Sequence, residues 1–114
     1  MYDMTKCLQE DIASYYAKTF DITALTLRAG HIVDGRASLD PKGRSLDMIQ
    51  YGRGAWICCY DLAQAVIHAL SYEVSGYDAF HIIGAKAAKN QFDMERTENI
   101  FGFVPETRFE KYQS

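Results

Sequence analysis

The 114 residues predict an α/β domain spanning positions 1–114, with a few parallel strands and packing helices. Three observations predict it. Apolar residues recur at three- and four-residue intervals from Met4 to Phe20, the period of an amphipathic helix. Two short runs, Ile22–Leu27 and Ala79–Ile83, mix β-branched and aliphatic residues and lead into Gly30 and Gly84, as covered parallel strands do. Between them a second helical period, from Asp61 to Ser71, alternates helix with strand, the order that builds a parallel sheet.

The elements follow in order. The first helix is expected over roughly residues 3 to 19, with Met4, Leu8, Ile12, Tyr15, Tyr16 and Phe20 on its apolar stripe. Such a stripe ordinarily packs in a core; a helix–helix interface is the second reading. Ile22–Leu27 is the first strand, and Ala29–Gly35 a loop at its carboxyl end, the edge where open α/β sheets bind ligands. Residues 36–54 read as a loop with one helical turn near Ser45–Gln50, and Ala55–Cys59 as a short strand. Asp61 then opens a helix as a cap or first-turn acid, favoured by the helix dipole. Leu62, Ala65, Val66, Ala69 and Leu70 form its packing face, and His68 lies off it, exposed.

A turn at Gly76 precedes the second strand, where His81 reads as a satisfied core or edge residue. Residues 85–91 form a loop. Asp93 caps a last helix packed through Met94, Thr97 and Ile100, with Gly102 as its left-handed stop. Pro105 prevents resumption, and the charged tail to Ser114 is expected to be extended or frayed.

Composition narrows the function. An apolar fraction of 48% and a charged fraction of 24% are those of a soluble globular protein, expected in the cytoplasm. A net charge of -3 without a basic cluster argues against nucleic acid as a partner. No apolar run reaches the roughly 20 residues that cross a membrane, and no secretion signal is evident. The 3 cysteines and 3 histidines show no metal-ligand spacing, so buried reduced thiols are expected and no metal.

Chemistry enters at Tyr2 and Lys6, four residues apart and so on one face of a helix. A lysine ammonium near a phenol favours the phenolate, which lets a tyrosine exchange protons far below its reference pKa of about 10. With 8 tyrosines in the chain the spacing alone is weak. The later motifs strengthen it: Leu27-Arg28-Ala29-Gly30-His31-Ile32-Val33, then Asp61-Leu62-Ala63-Gln64-Ala65, Phe80-His81-Ile82-Ile83-Gly84, and Phe101-Gly102-Phe103-Val104-Pro105.

In this order the chain, from Tyr2 to Tyr112, resembles the later part of an NAD(P)-dependent nucleotide-sugar epimerase/dehydratase, an extended short-chain dehydrogenase/reductase. The resemblance implies a partial Rossmann-like layer that lacks the N-terminal dinucleotide-binding half. It implies Tyr2 and Lys6 as catalytic residues, and Lys6 with Ala29, Gly30, His31 and Ile32 around an NAD or NADP cofactor. His31 and Arg53 would meet a nucleotide-sugar substrate. The Gly-rich phosphate turn has no counterpart: Gly52-Arg53-Gly54 is followed by Ile57 and precedes a strand. The family's catalytic Ser/Thr would lie upstream of Met1. The expectation is therefore a C-terminal portion that does not hold the cofactor alone, partnered by the missing N-terminal half or by itself as a homodimer. The other reading is a non-catalytic α/β remnant or oligomerisation module.

Overall fold

The computed structural model describes residues 2–48, 55–73, 76–86 and 92–112, with the backbone alone at Tyr2 and Asp3. These residues form helix α1 (Tyr2–Phe20), strands β1 (Ala24–Ala29), β2 (His31–Val33) and β3 (Trp56–Cys58), helix α2 (Cys59–Ser71) and strand β4 (Tyr77–Ile82). A short helix α3 (Met94–Arg96) follows and continues as a π-turn over Thr97–Phe101. The fold is mixed α/β with two small sheets, β1 with β4 and β2 with β3. In the second, His31 stands opposite Trp56, Ile32 opposite Ile57 and Val33 opposite Cys58, in parallel. In the first, the Ala24 N–H donates to the Gly76 carbonyl at 2.9 Å and the Gly30 N–H to the Ile82 carbonyl at 3.3 Å. Both chains advance together between those bonds, so β1 and β4 are parallel too.

The chain divides into two compact units, Met1–Thr26 with Tyr72–Ala79 and Leu27–Ser71 with Phe80–Ser114, and the boundary runs through β1 and β4. In the first unit, α1 does not bury the stripe its periodicity marks. Met4, Leu8, Ile12 and Tyr15 are more than half exposed, and Tyr16 and Phe20 are exposed as well. Ala17 is the buried apolar residue of α1, with Glu10, Ala13 and Ser14 partly covered beside it. At 3.6 residues per turn, positions 10, 13 and 17 share a face nearly opposite Met4, Leu8 and Ile12. Small side chains let a backbone approach closely, and the approach is visible at Tyr77 of β4. Its hydroxyl reaches the Glu10 carboxylate at 3.3 Å and the Thr26 hydroxyl of β1 at 3.0 Å.

The core of the second unit gathers around Trp56. Phe109 and Tyr112 meet the indole edge-on at 5.5 and 5.3 Å, and Val33, Leu46, Cys58 and Ala85 complete the cluster. The tail is thus not frayed: Glu110–Tyr112 forms a 3₁₀ turn that brings Tyr112 inward. Phe109 takes a left-handed φ of 56° to make that turn. A second cluster stacks Phe80 on Phe101 at 4.9 Å, with the Arg96 guanidinium over the Phe80 ring at 4.4 Å. Asp93 caps α3 as expected, accepting from the Arg96 N–H at 3.0 Å, and Gly102 closes the π-turn at φ 83°. Met94 and Thr97 pack inward, whereas Ile100 faces out. The extra residue in a π-turn rotates it off the helical face. Of the cysteines Cys58 is buried, Cys59 partly so and Cys7 exposed on α1, against the expectation that all are buried.

After β2 the chain folds back on itself. Asp34 and Leu39 exchange backbone hydrogen bonds, and Leu46, in the 3₁₀ turn Leu46–Met48, drops into the core. Asp40 organises this loop: it accepts from the Lys42 and Arg44 N–H groups at 3.0 and 2.7 Å and pairs with the Arg44 guanidinium at 2.7 Å. Burial raises its pKa, but the Arg44 backbone bond and guanidinium outweigh that, and the carboxyl sits below its ordinary value. A carboxyl lowered on folding stabilises the fold above its unfolded pKa, and the gain fades as acid brings the folded state through its own lower pKa. Asp40→Asn should therefore weaken the fold at neutral pH and cost progressively less as the pH falls below about 4. Denaturant unfolding at both ends checks this; an equal loss throughout would refute it.

Candidate functional site

Positions 2 and 6 open α1, one turn apart on the face that also carries Glu10, Ala13 and Ala17. Lys6 is exposed, and the side chain of Tyr2 lies outside the described residues. Both positions belong to the first unit, whereas Ala29, Gly30, His31 and Ile32 belong to the second. Each group is ordered within its own unit.

The stretch expected to be a loop after β1 is instead mostly strand. Gly30 interrupts pairing for one residue, and His31–Val33 then joins β3. The reason is steric. A Cβ at Gly30 would lie 1.8 Å from the Ala55 carbonyl oxygen and 2.7 Å from Ile83 Cδ1. Only glycine lets the chain pass there. His31 and Ile32 are exposed on β2 and Ala29 is exposed at the end of β1. Arg53, with Gly52 and Gly54 beside it, lies outside the described residues.

A dinucleotide pyrophosphate needs a strand, a glycine turn and a helix N-terminus in succession. Among the described residues β3 runs straight into α2 at Cys58–Cys59 with no glycine between. The carboxyl end of β2 is filled by protein: a Cβ at Gly35 would meet Thr107 Cγ2 at 2.7 Å and Cys58 Sγ at 3.2 Å. One oxygen of the Asp34 carboxylate there, Oδ1, accepts from the Arg36 and Ala37 N–H groups, each at 2.9 Å. The described residues therefore do not fit a pyrophosphate cradle. No group of three or more His, Cys, Asp or Glu among them is placed to hold a metal ion.

The second unit does contain a cleft of about 630 Å³, between α2 and the segment from Gly102 to Glu106. Asp61, Gln64, His68 and Ser71 line it at spacings of three, four and three, one face of α2. Asp61 is buried and does more than cap: its Oδ2 accepts from the Thr107 N–H at 2.8 Å and ties the last segment to the helix. His68, expected to be exposed, is partly covered. Its Nε2 lies 2.6 Å from the Phe101 carbonyl, which can only accept, so Nε2–H donates. Arg36 closes one end, its guanidinium 3.8 Å above the Tyr60 ring. Among the described residues the side chains of Arg36, Gln64 and Glu106 make no hydrogen bond or ion pair. The predicted packing face of α2 hid its polar face, yet of that packing face Ala65 is buried while Val66 and Leu70 are exposed; the three-four-three spacing was the available signal.

Compared with family models, with curated proteins and with solved structures, the chain matches none. No described helix is long and apolar enough to cross a membrane.

Proposed function

We propose that the chain is the C-terminal portion of an NAD(P)-dependent nucleotide-sugar epimerase/dehydratase-like protein, with a partial Rossmann-like layer, and is inactive alone. The observation that carries this reading is the face of α1. Positions 2 and 6 lie on the side by which the helix approaches its strands, in line with Glu10 and Ala17. The parallel pairing of β1 with β4 supports it as well. In this reading Tyr2 exchanges a proton with a substrate oxygen and Lys6 holds the phenol ready to ionise. The N-terminal dinucleotide-binding half supplies the phosphate turn, and hydride transfer belongs to the cofactor held there.

Titration of the purified chain with NADH and NADPH is expected to show no saturable binding up to about 1 mM. A separately encoded or in-frame upstream segment with a Gly-rich strand–turn–helix is expected to restore it, and Tyr2→Phe should then abolish turnover while leaving cofactor binding intact. Tight binding by this chain alone would sink the reading.

A second reading, an oligomerisation module, is favoured by the exposed apolar stripe on α1. Light scattering on the same sample separates them: a stable dimer that Ile12→Glu dissociates supports the module, and a monomer at high concentration removes it.

A further inference from the structure

The geometry points to the cleft beside α2 as a binding site for a free basic amino acid, an assignment independent of the oxidoreductase reading. The cavity of about 630 Å³ falls within the range of small-molecule sites, roughly 300 to 1,000 Å³. Its charged groups are one guanidinium, Arg36, and two carboxylates, Asp61 and Glu106. Arg36 and Glu106 have no ion-pair partner among the described residues, and one Asp61 oxygen is already committed to Thr107. Phe103, Ile67 and Val104 supply apolar surface in the same cleft, Ile67 and Val104 being more than half exposed.

Each simpler ligand leaves part of this set unanswered. A dicarboxylate would meet Arg36 but repel the two acids. A diamine would meet the acids and leave the guanidinium, which rests on the Tyr60 ring, without an anion. A neutral sugar would find hydrogen bonds at Gln64 and His68, yet leave the excess negative charge uncompensated. Lysine or arginine answers all three. Its carboxylate suits the planar fork of Arg36, its two cationic groups suit Asp61 and Glu106, and its methylenes cover the apolar wall.

Calorimetric titration of the purified chain with L-lysine, norleucine, cadaverine and glucose tests the assignment. Saturable lysine binding is expected, with norleucine and cadaverine each weaker by about tenfold or more, as for a lost charge-assisted contact. Arg36→Met should weaken lysine by a similar factor and leave cadaverine unchanged, whereas Glu106→Gln should weaken both. Both positions are exposed, so the variants are expected to fold, which circular dichroism verifies. Failure of lysine to saturate by about 10 mM, a regime of negligible affinity, or glucose binding as tightly as lysine, overturns the proposal.

Discussion

Gly30→Ala is expected to destabilise the second unit by about 3 kcal/mol or more, a drop in melting temperature of roughly 10–20 °C. The new methyl would sit 1.8 Å from the Ala55 carbonyl oxygen and 2.9 Å from its carbon, and backbone does not swing aside as a side chain does. Relief requires parting the turn between β1 and β2, where the chain first passes from one sheet to the other, from the residue that leads into β3. Against a total stability of about 5–15 kcal/mol that is a large fraction. Gly43→Ala is the control. That glycine has a φ of 80° but nothing within 4 Å of its missing Cβ, so it should lose only the left-handed preference, about 1 kcal/mol. Equal melting temperatures for the two variants would show that the close approach at Gly30 is not what the fold depends on.

Phe109→Ala comes next in size, at about 3–5 kcal/mol, the cost of emptying a well-packed aromatic site. Phe109 is 5% exposed and meets Trp56, the only tryptophan, at 5.5 Å. The indole therefore reports directly: native emission should shift to longer wavelength as water gains access, and the unfolding midpoint should fall. Val104→Ala, at a residue 58% exposed, should change stability by no more than about 0.5 kcal/mol. A neutral Phe109→Ala would mean that the final segment lies free in solution and that the sequence-based expectation of a frayed tail was right.

That tail illustrates what a sequence hides. Phe109 and Tyr112 are single apolar residues among Arg108, Glu110 and Lys111, with no period to mark them, and their burial depends on a turn made by an uncommon φ. Existence and type of α1, α2, β1, β3 and β4 were legible, because a long hydrophobic period or an uncharged apolar run depends only on neighbours in the chain. The buried side of α1 was not. Its large residues advertise one face, and docking used the small ones, Ala13 and Ala17, opposite. β2 escaped notice since three residues, two of them exposed, carry no alternation. Of the predicted site, the one-turn spacing of Tyr2 and Lys6 was legible, while the polar face of α2 had to be seen as the wall of a cleft.

The three thiols form a graded clock for opening. Cys7 stands in solvent on α1 of the first unit, Cys59 is half covered, and Cys58 is sealed beneath Gly35, whose N–H points at its sulfur at 3.4 Å. Burial, then the neighbouring Cys58 and Asp34, push the Cys59 thiol up, so it yields little thiolate at neutral pH. An alkylating reagent would mark the exposed Cys7 first, Cys59 late, and Cys58 only when β2 separates from β3, timing from within a single native sample how often the second unit comes apart.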